Sequence, residues 1–256
     1  MTRVNHSTLR SKFSVHSFDV DAFGYLSPAR LAGYLQQVAA QSADELGFGL
    51  SELNRRGLTW VLVRQQVQID ELTAMGDDLI VETWPSGIDR WAALRDFRLI
   101  KNEREVGRAL TSWFVLDMAT RHPVRPKTVL TADFHDQTPH VMNLQTEAVA
   151  ILSEPNEQRR FEVRFADIDA NFHVTNGSYI AWALEAIDES TWRESQLVSL
   201  DIQYMAECGL GSQVLSRSSL QQTGERLHSI IRQSDQKELA RAVSTWKNVA
   251  KQRKDG

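Results

Sequence analysis

Two stretches of this chain, 148 residues apart, read alike: Asp19-Val20-Asp21-Ala22 and Asp167-Ile168-Asp169-Ala170. Each runs into a helical pattern, and Tyr34 of the first falls under Trp182 of the second. In the first, Leu31, Leu35, Val38, Ser42 and Leu46 line one face. Ser27 stands at the N-cap, Pro28 at the first helical position and Gly47 at the stop, the preferred places for these residues. In the second, Tyr179, Ile180, Ala183 and Ile187 recur at helical spacing, so a helix begins near Gly177 with Thr175 or Asn176 as its cap. A further echo, 133 residues apart, sets Arg108-Ala109-Leu110-Thr111-Ser112-Trp113 against Arg241-Ala242-Val243-Ser244-Thr245-Trp246. A chain that repeats its segments in the same order folds twice into one small plan. Few architectures survive that constraint.

The plan itself follows from periodicity. A first strand over residues 10–18 precedes the first helix, and four β-branched or aromatic runs follow it, over 59–69, 78–84, 91–100 and 108–116. Lys101-Asn102-Glu103-Arg104-Glu105 reads as the hairpin between the last two. Strand, long helix and four successive strands predict an antiparallel sheet with one helix on its face, an α+β layer. From residue 121 to 158 periodicity is lost, and four of the six prolines fall there, which reads as a linker with some helix over 146–152. Residues 161–165, the second helix, and strands at 197–205, 213–220, 227–232 and 238–249 repeat the plan. The expected organisation is therefore 1–120, a linker over 121–158, and 159–256, a tandem duplication.

The two copies differ where chemistry would live. Residues 167–176 hold two carboxylates, two carboxamides and an imidazole just ahead of a helix N-terminus, where unpaired N–H groups and the dipole favour negative charge. Asn171 faces Phe23 and His173 faces Tyr25. At a shift of 135, Glu207 faces Leu72. Asp19, Asp21 and Asp167 are expected to bond backbone in the turn before each helix. His16, His122, His135, His140 and His228 read as surface or loop residues, and the tryptophans as core.

These segments resemble the acyl-acyl-carrier-protein thioesterases of plants and bacteria. Their pattern Asp-x-Asn-x-His-Val-x-Asn is met at Asp169, Asn171, His173, Val174 and Asn176, and their Glu-Cys-Gly at Glu207, Cys208 and Gly209. Thr59-Trp60-Val61, Gly76-Asp77 and Glu82-Thr83-Trp84 also look like that family. The resemblance implies a double hotdog fold, and hydrolysis of the thioester joining a fatty acyl chain to the phosphopantetheine arm of acyl carrier protein. It implies no metal or organic cofactor, and its catalytic residues carry over to Asp169, Asn171, His173 and Glu207. Because Phe23, Tyr25 and Leu72 stand where the second copy has Asn171, His173 and Glu207, chemistry is expected in the second half, and the first half is expected to supply the apolar tunnel for the acyl chain.

A thioester carbonyl is reactive, so an activated water and a stabilised oxyanion suffice. Glu207 or Asp169 can serve as base, His173 can share a proton or hold the carbonyl, and Asn171 can hold water or substrate. The sequence does not decide which carboxylate activates water. Cys208 reads as a bystander: if 197–208 runs on as strand, Glu207 and Cys208 point to opposite faces, and a neighbouring carboxylate disfavours a thiolate. An acyl-CoA thioesterase and a non-catalytic acyl-binding hotdog protein remain as alternatives. A hotdog dehydratase is disfavoured by the lack of a His-Phe-Pro-Gly segment.

Composition sets the surroundings. A net charge of −4 argues against a general nucleic-acid binder. One cysteine excludes an intrachain disulfide and suits a reducing compartment. The start of the chain lacks the apolar core of a signal peptide, and no run nears the roughly 18 apolar residues of a membrane span. The expected place is the cytoplasm. Acyl carrier protein is acidic, so a basic docking patch is expected at Arg159, Arg160 and Arg164 and at Lys247, Lys251, Arg253 and Lys254. The sequence allows a homodimer.

Overall fold

The structure is a computed structural model that describes residues 8–130, 140–170 and 172–249. The chain divides into two compact units between Gln145 and Thr146. The break falls inside the proline-rich stretch, most of which groups with the first unit.

The first unit runs β1 (Leu9–Ser14), α1 (Pro28–Glu45), α2 (Leu50–Arg55), β2 (Leu58–Ile69), β3 (Asp78–Asp89), β4 (Ala92–Lys101), β5 (Arg104–Asp117) and the short β6 (Pro123–Val124). Its strands pair antiparallel in the order β1-β3-β4-β5-β2, with β6 on the end of β5. Ser27 caps α1 by accepting from the Arg30 N–H, and Pro28 opens the helix. The buried face is Leu31, Ala32, Leu35, Val38, Ala39 and Ser42, and it packs with Val67, Leu79, Val81, Phe97, Leu99 and Ala109 of the sheet. Asn102 and Glu103 make the two-residue turn from β4 to β5 with φ of 49° and 61°, the left-handed pair that matches strand twist.

The second unit runs β7 (Glu157–Glu162), α3 (Asn176–Glu185), α4 (Glu189–Glu194), β8 (Ser195–Tyr204), β9 (Gln213–Leu220), β10 (Glu225–Arg232) and β11 (Glu238–Asn248). Its strand order, β7-β9-β10-β11-β8, repeats the first unit's. Even the register returns: Phe97 lies opposite Ala109 as His228 lies opposite Ala242. Each unit is a helix packed on one antiparallel sheet, the expected hotdog plan, present twice.

Some boundaries differ from the sequence expectation. The first strand ends at Ser14 rather than at residue 18, and Phe18 is exposed. The strand expected over 161–165 lies at Glu157–Glu162, and Phe165 instead opens a 3-10 turn, Phe165–Asp167. Residues 146–152 form no helix. Helices α2 and α4, six residues each, are too short to show a 3.6-residue period, and the sequence did not announce them.

The copies also handle buried charge differently. Arg226, in the second unit, is met by Glu157 at 2.7 Å and Asp188 at 2.6 Å. Among the described residues, the guanidinium of Arg95, at the corresponding place on β4, donates to the hydroxyls of Ser42 (2.9 Å) and Thr83 (3.2 Å). Burial pulls its guanidinium down to about 10.

His228 is not a surface residue. It is fully buried in the inner face of β10, where the first unit has Phe97. Its Nε2 lies 2.8 Å from Ser244 Oγ, which accepts from Trp246 Nε1 at 2.9 Å. Ser244 is thus free to donate to a neutral ring. Burial lowers the imidazole from its ordinary 6.5 to about 4. The unfolded chain therefore takes up a proton that the folded one resists. His228 contributes stability that is full above pH 6.5 and is lost as pH falls towards 4, about 3 kcal/mol at most. Thermal melts across that window should show the loss, and His228→Phe should flatten the part of the slope due to this residue.

Candidate active site

The loop ahead of each helix is built by the same bonds. In the first unit Asp21 N–H donates to Tyr25 O (2.7 Å), Gly24 N–H to Asp21 O (3.0 Å) and Ser27 N–H to Asp19 O (3.0 Å). In the second, Asp169 N–H donates to His173 O (2.9 Å), Phe172 N–H to Asp169 O (3.0 Å) and Thr175 N–H to Asp167 O (2.9 Å). The carboxylates repeat as well: Tyr25 N–H reaches Asp21 Oδ1 and His173 N–H reaches Asp169 Oδ1, each at 3.2 Å. Buried Asp19 accepts from His16 N–H (3.0 Å), as buried Asp167 does from Arg164 N–H (2.8 Å). The structural roles expected of Asp19, Asp21 and Asp167 are what the geometry shows. Asp169 shares that role, through the oxygen that holds the His173 backbone.

One backbone position separates the copies. Gly24 has φ of 81°, and Phe172, its counterpart, has φ of 61°. A left-handed bulky residue is strained, on the order of 1 kcal/mol or more. Phe172 nevertheless leaves its ring exposed beside His173. Asn171 lies outside the described residues.

Glu207 reaches this loop from another element. The strand expected over 197–205 ends at Tyr204 and does not run on to residue 208. The N–H groups of Met205 and Ala206 both turn to Leu239 O (2.8 and 3.2 Å), so the chain leaves the ladder there. Val174 N–H then donates to Cys208 O (3.4 Å), as Leu26 N–H does to Thr73 O (2.8 Å) in the first unit. That match sets Glu207 against Leu72, as the repeat implied. His173 Nε2 stands 3.7 Å from Glu207 Oε2, and both side chains are about half exposed, at 49% and 46%. Cys208 is buried where Glu207 is half exposed, although no strand alternation separates them.

The segment carrying Glu207 is held by its carbonyls. Tyr179 Oη donates to Ala206 O (3.4 Å), Arg232 NH1 to Glu207 O (3.0 Å) and Val174 N–H to Cys208 O. Tyr204 Oη donates to Asn176 O in the first turn of α3 (3.4 Å). Burial pushes both phenols well above their ordinary range, so they stay protonated donors. Tyr179, Tyr204 and Arg232 were not singled out from sequence. The available signal was the one that found Glu207: Tyr179 faces Leu31, and Arg232 does for Glu207 what Lys101 does for Leu72, donating to its carbonyl at 2.9 Å.

Thr175 caps α3 by accepting from Ser178 N–H at 3.1 Å. The arrangement thus offers an imidazole, a carboxylate and a helix N-terminus in one accessible place. Among the described residues no group of three or more metal-binding side chains occurs. If the loop bonds matter equally in both copies, Asp21→Ala and Asp169→Ala should each lower the stability of its unit by about 1 kcal/mol per bond lost. Denaturant midpoints measure this.

Comparison with known proteins identifies the family and the fold. The family model described as the acyl-ACP thioesterase N-terminal domain matches residues 6–133, and that of the C-terminal domain matches residues 152–248. A chloroplastic acyl-[acyl-carrier-protein] hydrolase of Cuphea viscosissima is 26% identical over 257 residues, covering 93% of this chain and 62% of its own. A chloroplastic oleoyl-acyl carrier protein thioesterase of Coriandrum sativum is 27% identical over 221 residues, covering 78% and 59%. This chain therefore spans about 62% of the length of the Cuphea relative. Among solved structures, an acyl-ACP thioesterase from Bacteroides thetaiotaomicron superposes with a TM-score of 0.86 at 22% identity, covering 94% of this chain and 98% of that one. The 12:0-ACP thioesterase from Umbellularia californica gives 0.78 at 20% identity, with the same coverage. Those likenesses establish the fold, a double hotdog. Two family models, matched in order over the two units, place this chain in the acyl-ACP thioesterase family.

Proposed function

We propose that this protein hydrolyses the thioester of fatty acyl-acyl carrier protein, releasing free fatty acid and ending chain elongation. The observation that carries this is the accessible His173–Glu207 pair at 3.7 Å, in a copy whose twin has Tyr25 and Leu72 at those places. Water attacks the thioester carbonyl, its proton passing to the pair. The tetrahedral oxyanion collapses with loss of the C–S bond, and the pantetheine sulfur leaves as thiol with the returned proton. Glu207 is the base favoured here, because an oxygen of Asp169 already holds the loop. Asp169 orients His173, and Asn171 is assigned by family pattern to hold water or the carbonyl. The first N–H groups of α3 are the oxyanion donors.

The division of labour proposed is an acyl-chain pocket in residues 1–120, a connection over 121–158 and catalysis in 159–256. Exposed Arg159 and Arg160 on β7, with Lys247 on β11, suit an acidic carrier protein, whereas Arg164 is tied to Asp167. Lys251, Arg253 and Lys254 lie outside the described residues. No helix among the described residues is long and apolar enough to cross a membrane, and the proposed place is the cytoplasm. A homodimer is compatible with this reading and not required by it. Acyl-CoA is the alternative substrate, and free-thiol release from matched acyl-carrier-protein and acyl-CoA series decides between them.

In that assay Glu207→Ala should lose at least about 100-fold in kcat with folding intact. Cys208→Ser should keep substantial hydrolysis. A trapped acyl-Cys208 species, or an active Glu207→Ala enzyme, overturns the assignment. Widening the first unit's core with Val38→Ala, or narrowing it with Ala109→Val, should shift chain-length preference while hydrolysis continues. A preference that responds only to substitutions after Arg159 refutes the division.

A further inference from the structure

Glu207 sits on a segment with no strand ladder of its own, so something else must hold its backbone. The guanidinium of Arg232 is well placed to do so. Its NH1 donates to Glu207 O at 3.0 Å. Its Nε and NH2 are taken by the two oxygens of Asp235, at 3.0 and 2.7 Å. That bidentate contact fixes the guanidinium plane and leaves NH1 directed at the carbonyl. The turn after β10 closes the arrangement: Arg232 N–H donates to Lys237 O (2.9 Å) and Lys237 N–H to Asp235 Oδ1 (3.2 Å). Arg232, acting first, holds the Asp235 carboxyl down to about 2, so the pair stays ionised at any ordinary assay pH.

We propose that Arg232, locked by Asp235, is a positioning residue for Glu207. The proposal rests on the reading of Glu207 as the base. The first unit supplies the comparison. There Lys101 Nζ donates to Leu72 O at 2.9 Å, and is held by Glu71 (2.7 Å) and Asp77 (3.2 Å). The clamp on this carbonyl is thus common to both units, and only in the second does it bear on a reactive side chain. A charged donor to a carbonyl holds it more firmly than a neutral one. With Tyr179 and Val174 on the carbonyls either side, the middle residue of the three is fixed in direction as well as place. A displacement of about 1 Å at a base can cost on the order of 100-fold in rate.

The test is the kinetics of acyl-carrier-protein hydrolysis by four variants, with circular dichroism and melting temperature for each. Arg232→Met should lower kcat by about 10- to 100-fold with KM within about twofold of the parent. Arg232→Lys should recover most of kcat, since a lysine does the same work in the first unit. Asp235→Asn should fall between. In the double variant Glu207→Ala/Arg232→Met, loss should not exceed that of Glu207→Ala alone, because Arg232 acts through Glu207. A rise in KM with unchanged kcat in Arg232→Met makes it a substrate contact and overturns the inference, as does additive loss in the double variant. An Arg232→Met enzyme with normal kcat beside an inactive Glu207→Ala enzyme refutes the clamp and spares the base. An active Glu207→Ala enzyme refutes the base itself.

Discussion

A buried carboxylate at the mouth of each helix is the constraint on which both units depend. Asp19 and Asp167 each accept a backbone N–H three residues upstream, while their own carbonyls accept from the helix N-cap, Ser27 or Thr175. That ties the end of the first strand's connection to the first turn of the helix. A buried acceptor left without its donor would cost about 1–3 kcal/mol, so the loop has little choice of path. Every side chain on it inherits its direction from this closure.

Duplication shows how such a loop changes its side chains without losing its fold. The main-chain bonds survive in both copies, and only the side chains at their tips change. Tyr25 corresponds to His173, and Leu72 to Glu207, across the same carbonyl stitch. The second loop even has a left-handed backbone at Phe172, where the first has Gly24, a local cost beside the polar pair. The scaffold holds the geometry, and the proposed chemistry rests on the side chains that differ between the copies.

The His173–Glu207 pair is assembled from elements with different kinds of support. His173 sits in a closed turn rigidified by Asp169. Glu207 sits on chain that has left β8 and is held by donors from α3, from the loop and from β10. Accessibility follows from that arrangement: a residue in the strand ladder would be buried on one face or turned away on the other. The pair is half exposed to solvent, while Cys208, one residue on, is closed off by packing.

The sequence by itself determined the duplication, the order of elements, the capped helix at Pro28 and the identity of the residues that differ between copies. These are properties of residue type and spacing, and local physics reads them directly. Only the tertiary structure decided that β8 ends at Tyr204, because that depends on a bend against Leu239 in a strand far along the chain. It also decided that His228 is buried with Ser244, since an isolated histidine carries no periodic signal of which face it occupies. It set Asp169 to work on the loop, and brought Arg232, Tyr179 and Val174 to three successive carbonyls around Glu207. Such contacts join residues far apart in the chain, and the repeat can mark which positions differ between copies but not which of them touch.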